Sequence, residues 1–161
     1  MRGVLMLATV GGEMADKFET CCIKHLCQES WDFIVDATRY EKMAVDDRDA
    51  QHNAFLHILH QYLLSTSPNE VNISGTSSKR MTSFRTRESF GQLDDEERRS
   101  VLQGPLGEIV QMLEDNLLHK FWRHVAAEQD AQMAELAGGD RELMELMKKS
   151  SRAILTGTAS S

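Results

Sequence analysis

Histidines and cysteines are the side chains here with the most chemistry to offer, and their spacing says how much of it is usable. His25 and Glu29 lie four apart, which puts both on one helical face. A metal held between bundle helices needs such pairs on successive helices. His57 and His60 are three apart with His52 nearby, and His119 and His124 are five apart, so only the first pair has the right spacing. No metal site is expected. Cys21, Cys22 and Cys27 are an odd number crowded onto one predicted helix, too few for a closed zinc site and unsuited to a disulfide framework. They read as thiols in a reducing compartment. The chain has no phosphate-cradling loop, dinucleotide fingerprint, nucleophile elbow or His-Glu-x-x-His. An active site of its own is therefore not expected, nor is a cofactor.

With no catalytic constellation, the remaining use of such a chain is to present a surface. Its 161 residues suit one domain with a core of its own. Two prolines and nine methionines favour helices. A net charge of −7 argues against nucleic acid, which needs clustered Lys and Arg. The apolar run from Val4 to Val10 is far too short to span a bilayer. It has something of a leader's look, with Arg2 ahead of it, but it leads straight into helical pattern and reads as a first packed segment. With no lipidation pattern at either end, a cytoplasmic protein without an integral membrane segment is expected.

The elements that would build this surface are all helical. Gly11-Gly12 closes a segment over 1–13, and a helix follows from Met14 with Phe18, Cys21, Cys22 and Leu26 at helical spacing. A second runs over 28–45 on Trp31, Ile34, Val35 and Met43, and Asp46-Asp47 caps a third over 48–66. Pro68 stops that one. Residues 74–92 carry four basic side chains (Lys79, Arg80, Arg85, Arg87) and read as a polar surface segment. Acids at 94–97 open another helix, and Pro105 starts a long one with Leu106, Ile109, Leu113, Leu117 and Phe121 on its core side. Gly138-Gly139 reads as a hinge before an amphipathic, Met-rich helix over 140–155. That tail has three uses open to it: docking on the bundle, which is the expected one, a coiled coil, or contact with another domain.

Three stretches, in order, resemble the RGS (regulator of G-protein signalling) family. Gln28-Glu-Ser-Trp-Asp-Phe-Ile34 with Tyr40-Glu-Lys42 is the first. Tyr62-Leu-Leu, a loop, and Glu70-Val-Asn-Ile73 form the second, whose spacing matches without a gap. The third is Asn116-Leu-Leu-His-Lys-Phe-Trp122. The resemblance covers residues 14–128, with a connection over 74–104 longer than usual.

What the resemblance implies is an all-α, RGS-like antiparallel four-helix bundle plus a subdomain of terminal helices. Its function would be to bind heterotrimeric G-protein α subunits and accelerate their GTP hydrolysis. The α subunit supplies its own catalytic Arg and Gln, so such a helper stabilises the switch regions in their transition-state arrangement. The contact residues carried over are Glu29, Ser30, Asn72, Met112, Asn116 and Lys120. Asn72 would touch the catalytic Gln and a switch residue. Ser30 stands where the family has Asn, Met112 where leucine is common, and Lys120 where it has Arg, which loses bidentate geometry. The family's Asp falls on Asn116, or on Asp115 if the register slips by one. These departures keep a second class open, a catalytically silent RGS-like scaffold. Cytoplasmic residence, at the inner membrane face through partners, fits either class.

Overall fold

The structure, a computed structural model, describes residues 3–156 and their side chains as far as Ile154. The chain divides into two compact units, one up to Phe121 and one from Trp122. All regular elements among the described residues are helical, and no strand is present there. The helices are α1 Val4–Val10, α2 Glu13–Lys24, α3 Gln28–Glu41, α4 Arg48–Ile58, α5 Gly75–Ser83, α6 Arg87–Gly91, α7 Asp95–Arg99, α8 Gln103–Leu113 and α9 His119–Thr156. Two π-helical turns extend them, Leu59–Leu63 after α4 and Glu114–Leu118 between α8 and α9. No helix among the described residues is long and apolar enough to cross a membrane.

In the first unit α3 is the central element, packing on α1, α2, α4 and α8. It buries Trp31, Phe33, Ile34, Ala37 and Tyr40, a face wide enough to serve several neighbours. The Phe18 ring of α2 meets Trp31 and Phe121 edge-on, with centroids 5.2 and 5.1 Å apart. The turn from α1 to α2 needs positive φ twice, 69° at Gly11 and 81° at Gly12, which is why two glycines stand there. The first amide of α1, at Val4, is capped from across the unit by the Glu114 carboxylate at 3.1 Å.

The π turn after α8 follows from the sequence spacing. Ile109, Leu113, Leu117 and Phe121 recur every four residues, and all four are buried. A helix of 3.6 residues per turn would rotate such a series off the core, and one wider turn brings it back.

Several boundaries differ from the sequence expectation. The segment 74–92 contains two helices, α5 and α6. Ser74 and Thr86 cap them by accepting from the amides of Ser77 and Ser89, and buried Met81 and Phe90 anchor them. The helix expected to 45 ends at Glu41, and the one expected to 66 changes to a π turn at Leu59. Gly138-Gly139 does not interrupt the chain, since α9 runs through both, and the helix expected over 140–155 is the end of this longer one. Spacing alone puts Leu26 on the apolar face of the α2 helix. It lies beyond the helix, 89% exposed, with a left-handed φ of 57°.

Candidate functional site

The six residues singled out from the sequence come from three stretches of the chain. Glu29 and Ser30 sit in the first turn of α3, Asn72 in the connection before α5, and Met112, Asn116 and Lys120 at the end of α8, its π turn and the start of α9.

Asn72 is exposed on an irregular connection whose ends are fastened. Behind it, the Asn69 amide donates to the Gln61 carbonyl at 3.1 Å and the Val71 amide to Tyr62 at 2.9 Å. Val71 is itself buried, which turns its neighbour outward. Ahead of it, Glu108 of α8 accepts from the Ser74 amide at 2.6 Å, from the Ser74 hydroxyl at 2.9 Å, and from the Ser77 hydroxyl. Partial burial acts to raise the Glu108 pKa, but the hydrogen bonds from Ser77 and Ser74 outweigh it and hold the carboxyl below its ordinary range. Glu108 is thus an anion that clamps the loop to α8. Sequence reading missed it, because a single Glu on the flank of an apolar helix carries no local signal.

The other candidates are less uniform. Glu29 is half-buried, and Lys120 and Asn116 are exposed. Asn116 donates from Nδ2 to the Met112 carbonyl at 2.8 Å, so the structure brings these two together and commits part of the Asn116 amide to its own helix. Met112 is half-buried. Ser30 is only 3% exposed, so its placement gives no support to a surface contact; at that position a hydroxyl is buried among the core residues of α3. Among the described residues, no hydrogen bond or ion pair links any of these six residues to one from another stretch.

Leu26 is the surface feature that the sequence did not yield. It closes α2 in a Schellman motif: its amide donates to Ile23 and that of Cys27 donates to Cys22. The left-handed position normally belongs to glycine, and here a leucine occupies it with its side chain in solvent, three residues before Glu29. Beside it α3 carries an acidic strip, Glu29, Asp32 and Asp36 at positions i, i+3 and i+7, with Glu19 of α2 close by. Burial, then Glu19, Asp36 and Glu29, push the Asp32 carboxyl up. The strip was not singled out from the sequence, although its spacing carries it.

Among the described residues no three His, Cys, Asp or Glu side chains are grouped to hold a metal ion. Cys22 is fully buried, and burial first, then Cys27, pushes its thiol up, so it is a poor nucleophile. A cavity of about 370 Å³ runs beside α2 and α3, with Asp16, Glu19, Arg39 and Lys42 among its lining residues, and its charges are mixed in sign. What the geometry does show is a loop fastened at both ends that leaves the Asn72 primary amide exposed. No family model matches the chain, and neither does any curated protein or solved structure at the significance required.

Proposed function

We propose that the first unit is an RGS-like four-helix module that binds a heterotrimeric G-protein α subunit and accelerates its GTP hydrolysis. The observation that carries the reading is the loop at Asn72. Its sequence, Glu70-Val-Asn-Ile73, is the best match to the family, and its backbone is fastened on both sides by Tyr62 and Glu108. An amide held in place before the partner arrives costs little ordering entropy on binding. It can act on a transition state without reorganising, by favouring a switch arrangement that the α subunit samples on its own. Exposed Leu26 and half-buried Glu29 supply an apolar and an acidic contact near the start of α3.

A second reading, the catalytically silent scaffold, is favoured by Ser30 and Asn116. The first is buried, and the second has an amide proton engaged by its own helix. One pair of measurements separates the readings. Pull-down with the α subunit in its GDP, GTP-analogue and fluoride-activated forms should show preference for the fluoride-activated form, and single-turnover hydrolysis should be faster with the chain present. Binding without acceleration leaves the scaffold. Equal or absent binding in all three forms removes the accelerator reading and leaves the scaffold.

A further inference from the structure

Most of the second unit's described length is exposed helix. α9 is continuous to Thr156, and its residues from 129 to 154 are all exposed. Met133, Leu136, Leu143, Met144, Met147 and Ile154 are 58–72% exposed. At 100° per residue they fall on one stripe, with Asp140 inside it and the other charged residues off it. Helices in water owe most of their stability to such a face being packed, so a helix of this length with a bare apolar stripe lacks its partner.

We infer that this stripe pairs with a second copy of the same chain, as an antiparallel two-helix coiled coil. The heptad has Met133, Asp140, Met147 and Ile154 at a and Leu136, Leu143 and Ser150 at d. A parallel pair in register sets Asp140 against Asp140 in the same core layer, two like charges with the least access to water. An antiparallel pair puts each a opposite a d of the other copy. In the alignment centred on Glu145, Met147 meets Leu143, Ile154 meets Leu136, and Asp140 meets Ser150, whose hydroxyl can donate to it. The two polar core positions thus meet each other, in two layers related by the two-fold axis, and the layers of Met147 with Leu143 and of Ile154 with Leu136 are apolar. Met144 and Leu146 flank the centre and approach their own counterparts across the two-fold axis.

Charge along the helix points the same way. From 130 to 145 it carries Asp130, Glu135, Asp140, Glu142 and Glu145 against Arg141. From 146 to 154 it carries Lys148, Lys149 and Arg152 and no acid. Antiparallel pairing sets the acidic half of one copy beside the basic half of the other, whereas parallel pairing sets like beside like. The e and g positions, Ala137, Gly139, Met144, Leu146, Ser151 and Ala153, carry no charge that would specify a different partner. The acids also disfavour an anionic bilayer as the occupant. None of the proposed α-subunit contacts lies on this stripe, so the two readings stand or fall separately.

The test is sedimentation equilibrium of the full chain over two decades of concentration, which should show one-chain mass passing to two-chain mass. Leu143→Glu with Met147→Glu should weaken association by at least about tenfold. The same pair of changes should leave the melting of the first unit in place. For orientation, Asp140→Cys and Ser150→Cys chains are mixed and oxidised, and the cross-link is mapped by peptide mass spectrometry. A 140-to-150 link is expected. A dominant 140-to-140 or 150-to-150 link overturns the antiparallel arrangement. A single-chain mass at every concentration overturns the pairing itself. So does a dimer that survives both glutamates, or a monomer that binds phosphatidylcholine–phosphatidylserine vesicles through the stripe.

Discussion

The Glu108 carboxylate accepts both the backbone amide and the hydroxyl of Ser74, at 2.6 and 2.9 Å, and so α8 fixes the end of the loop that presents Asn72. The candidate contact and its anchor are 36 positions apart in sequence (108 − 72), with three short helices, α5, α6 and α7, between them. Replacing either residue should affect the same function for different reasons.

Asn72→Ala removes the presented amide and leaves the fastening alone. Under the proposed function, acceleration should fall more than stability does. A hydrogen bond lost from a buried partner costs about 1–3 kcal/mol, which is roughly five- to over one-hundredfold in rate. Hydrolysis rate and melting temperature measured on one preparation decide it. A lowered melting temperature with normal activity per folded molecule would make Asn72 a turn residue.

Glu108 gives the loop a pH dependence. Its carboxyl is held below the ordinary value of 4.5, so the charged form is favoured by folding. The stabilisation is fully present above that ordinary value and is lost as pH falls through the lower folded value. Hydrogen exchange at the Val71 and Ser74 amides, or their line widths in a proton–nitrogen spectrum, should show the loop loosening over that acid range. Glu108→Gln should loosen it already at neutral pH. An unchanged loop in the variant would show that the serine hydroxyls hold it without the charge.

Leu26→Gly should separate stability from binding. A left-handed φ is strained for leucine by roughly 1–2 kcal/mol and free for glycine. The variant should therefore be more stable by about 1 kcal/mol, since the side chain it loses is 89% exposed. If Leu26 is an apolar contact, α-subunit affinity falls as stability rises. Unchanged affinity in a stabilised protein would show that the leucine has no such role.

Arg98 and Arg87 test burial with the same side chain. Arg98 is fully buried, donating to Gln51 at 3.1 Å, to the Leu93 carbonyl at 2.6 Å, and to Asp95. The Tyr40 hydroxyl donates to the Arg98 backbone carbonyl at 2.6 Å. Arg98→Ala should cost about 2–4 kcal/mol, through the cavity and the polar groups left without a donor. Arg87 meets Asp49 in solvent, with side chains 77% and 62% exposed, and Arg87→Ala should cost under about 1 kcal/mol. Urea titration of both variants gives the comparison, and equal losses would contradict it.

These residues also show where the sequence was readable. Stripes such as those of α3 and α8 were legible, because period and burial coincide there, and an all-helical chain followed. The loop at Asn72 was legible because Pro68 and the turn formers punctuate it. What was hidden depends on contacts far apart in sequence. The 74–92 stretch is Ser- and Thr-rich, which lowers intrinsic helix preference, and its helices are held by Met81 and Phe90 and by Glu108. Leu26 misled because helical spacing continued past the point where the backbone turned. Arg98 looked like one more charge in an exposed run, and only the fold reveals it as buried.

Gly138 and Gly139 misled in the opposite direction, and they supply the last test. Both lie inside α9, and a Cβ added at either would meet nothing within 4 Å. Glycine in a helix interior is less favourable than alanine by about 1 kcal/mol, mostly because the unfolded chain is freer. Gly138→Ala and Gly139→Ala should therefore each raise helicity in the second unit, read as a deeper 222 nm signal and slower amide exchange over 130–150. If the stripe pairs with a second copy, the better-ordered helix pays less to associate and the dimer should tighten. A rise in helicity with weaker association would mean that the pairing needs a bend at the glycines. A fall in helicity would mean that the chain does turn there, as the sequence first suggested.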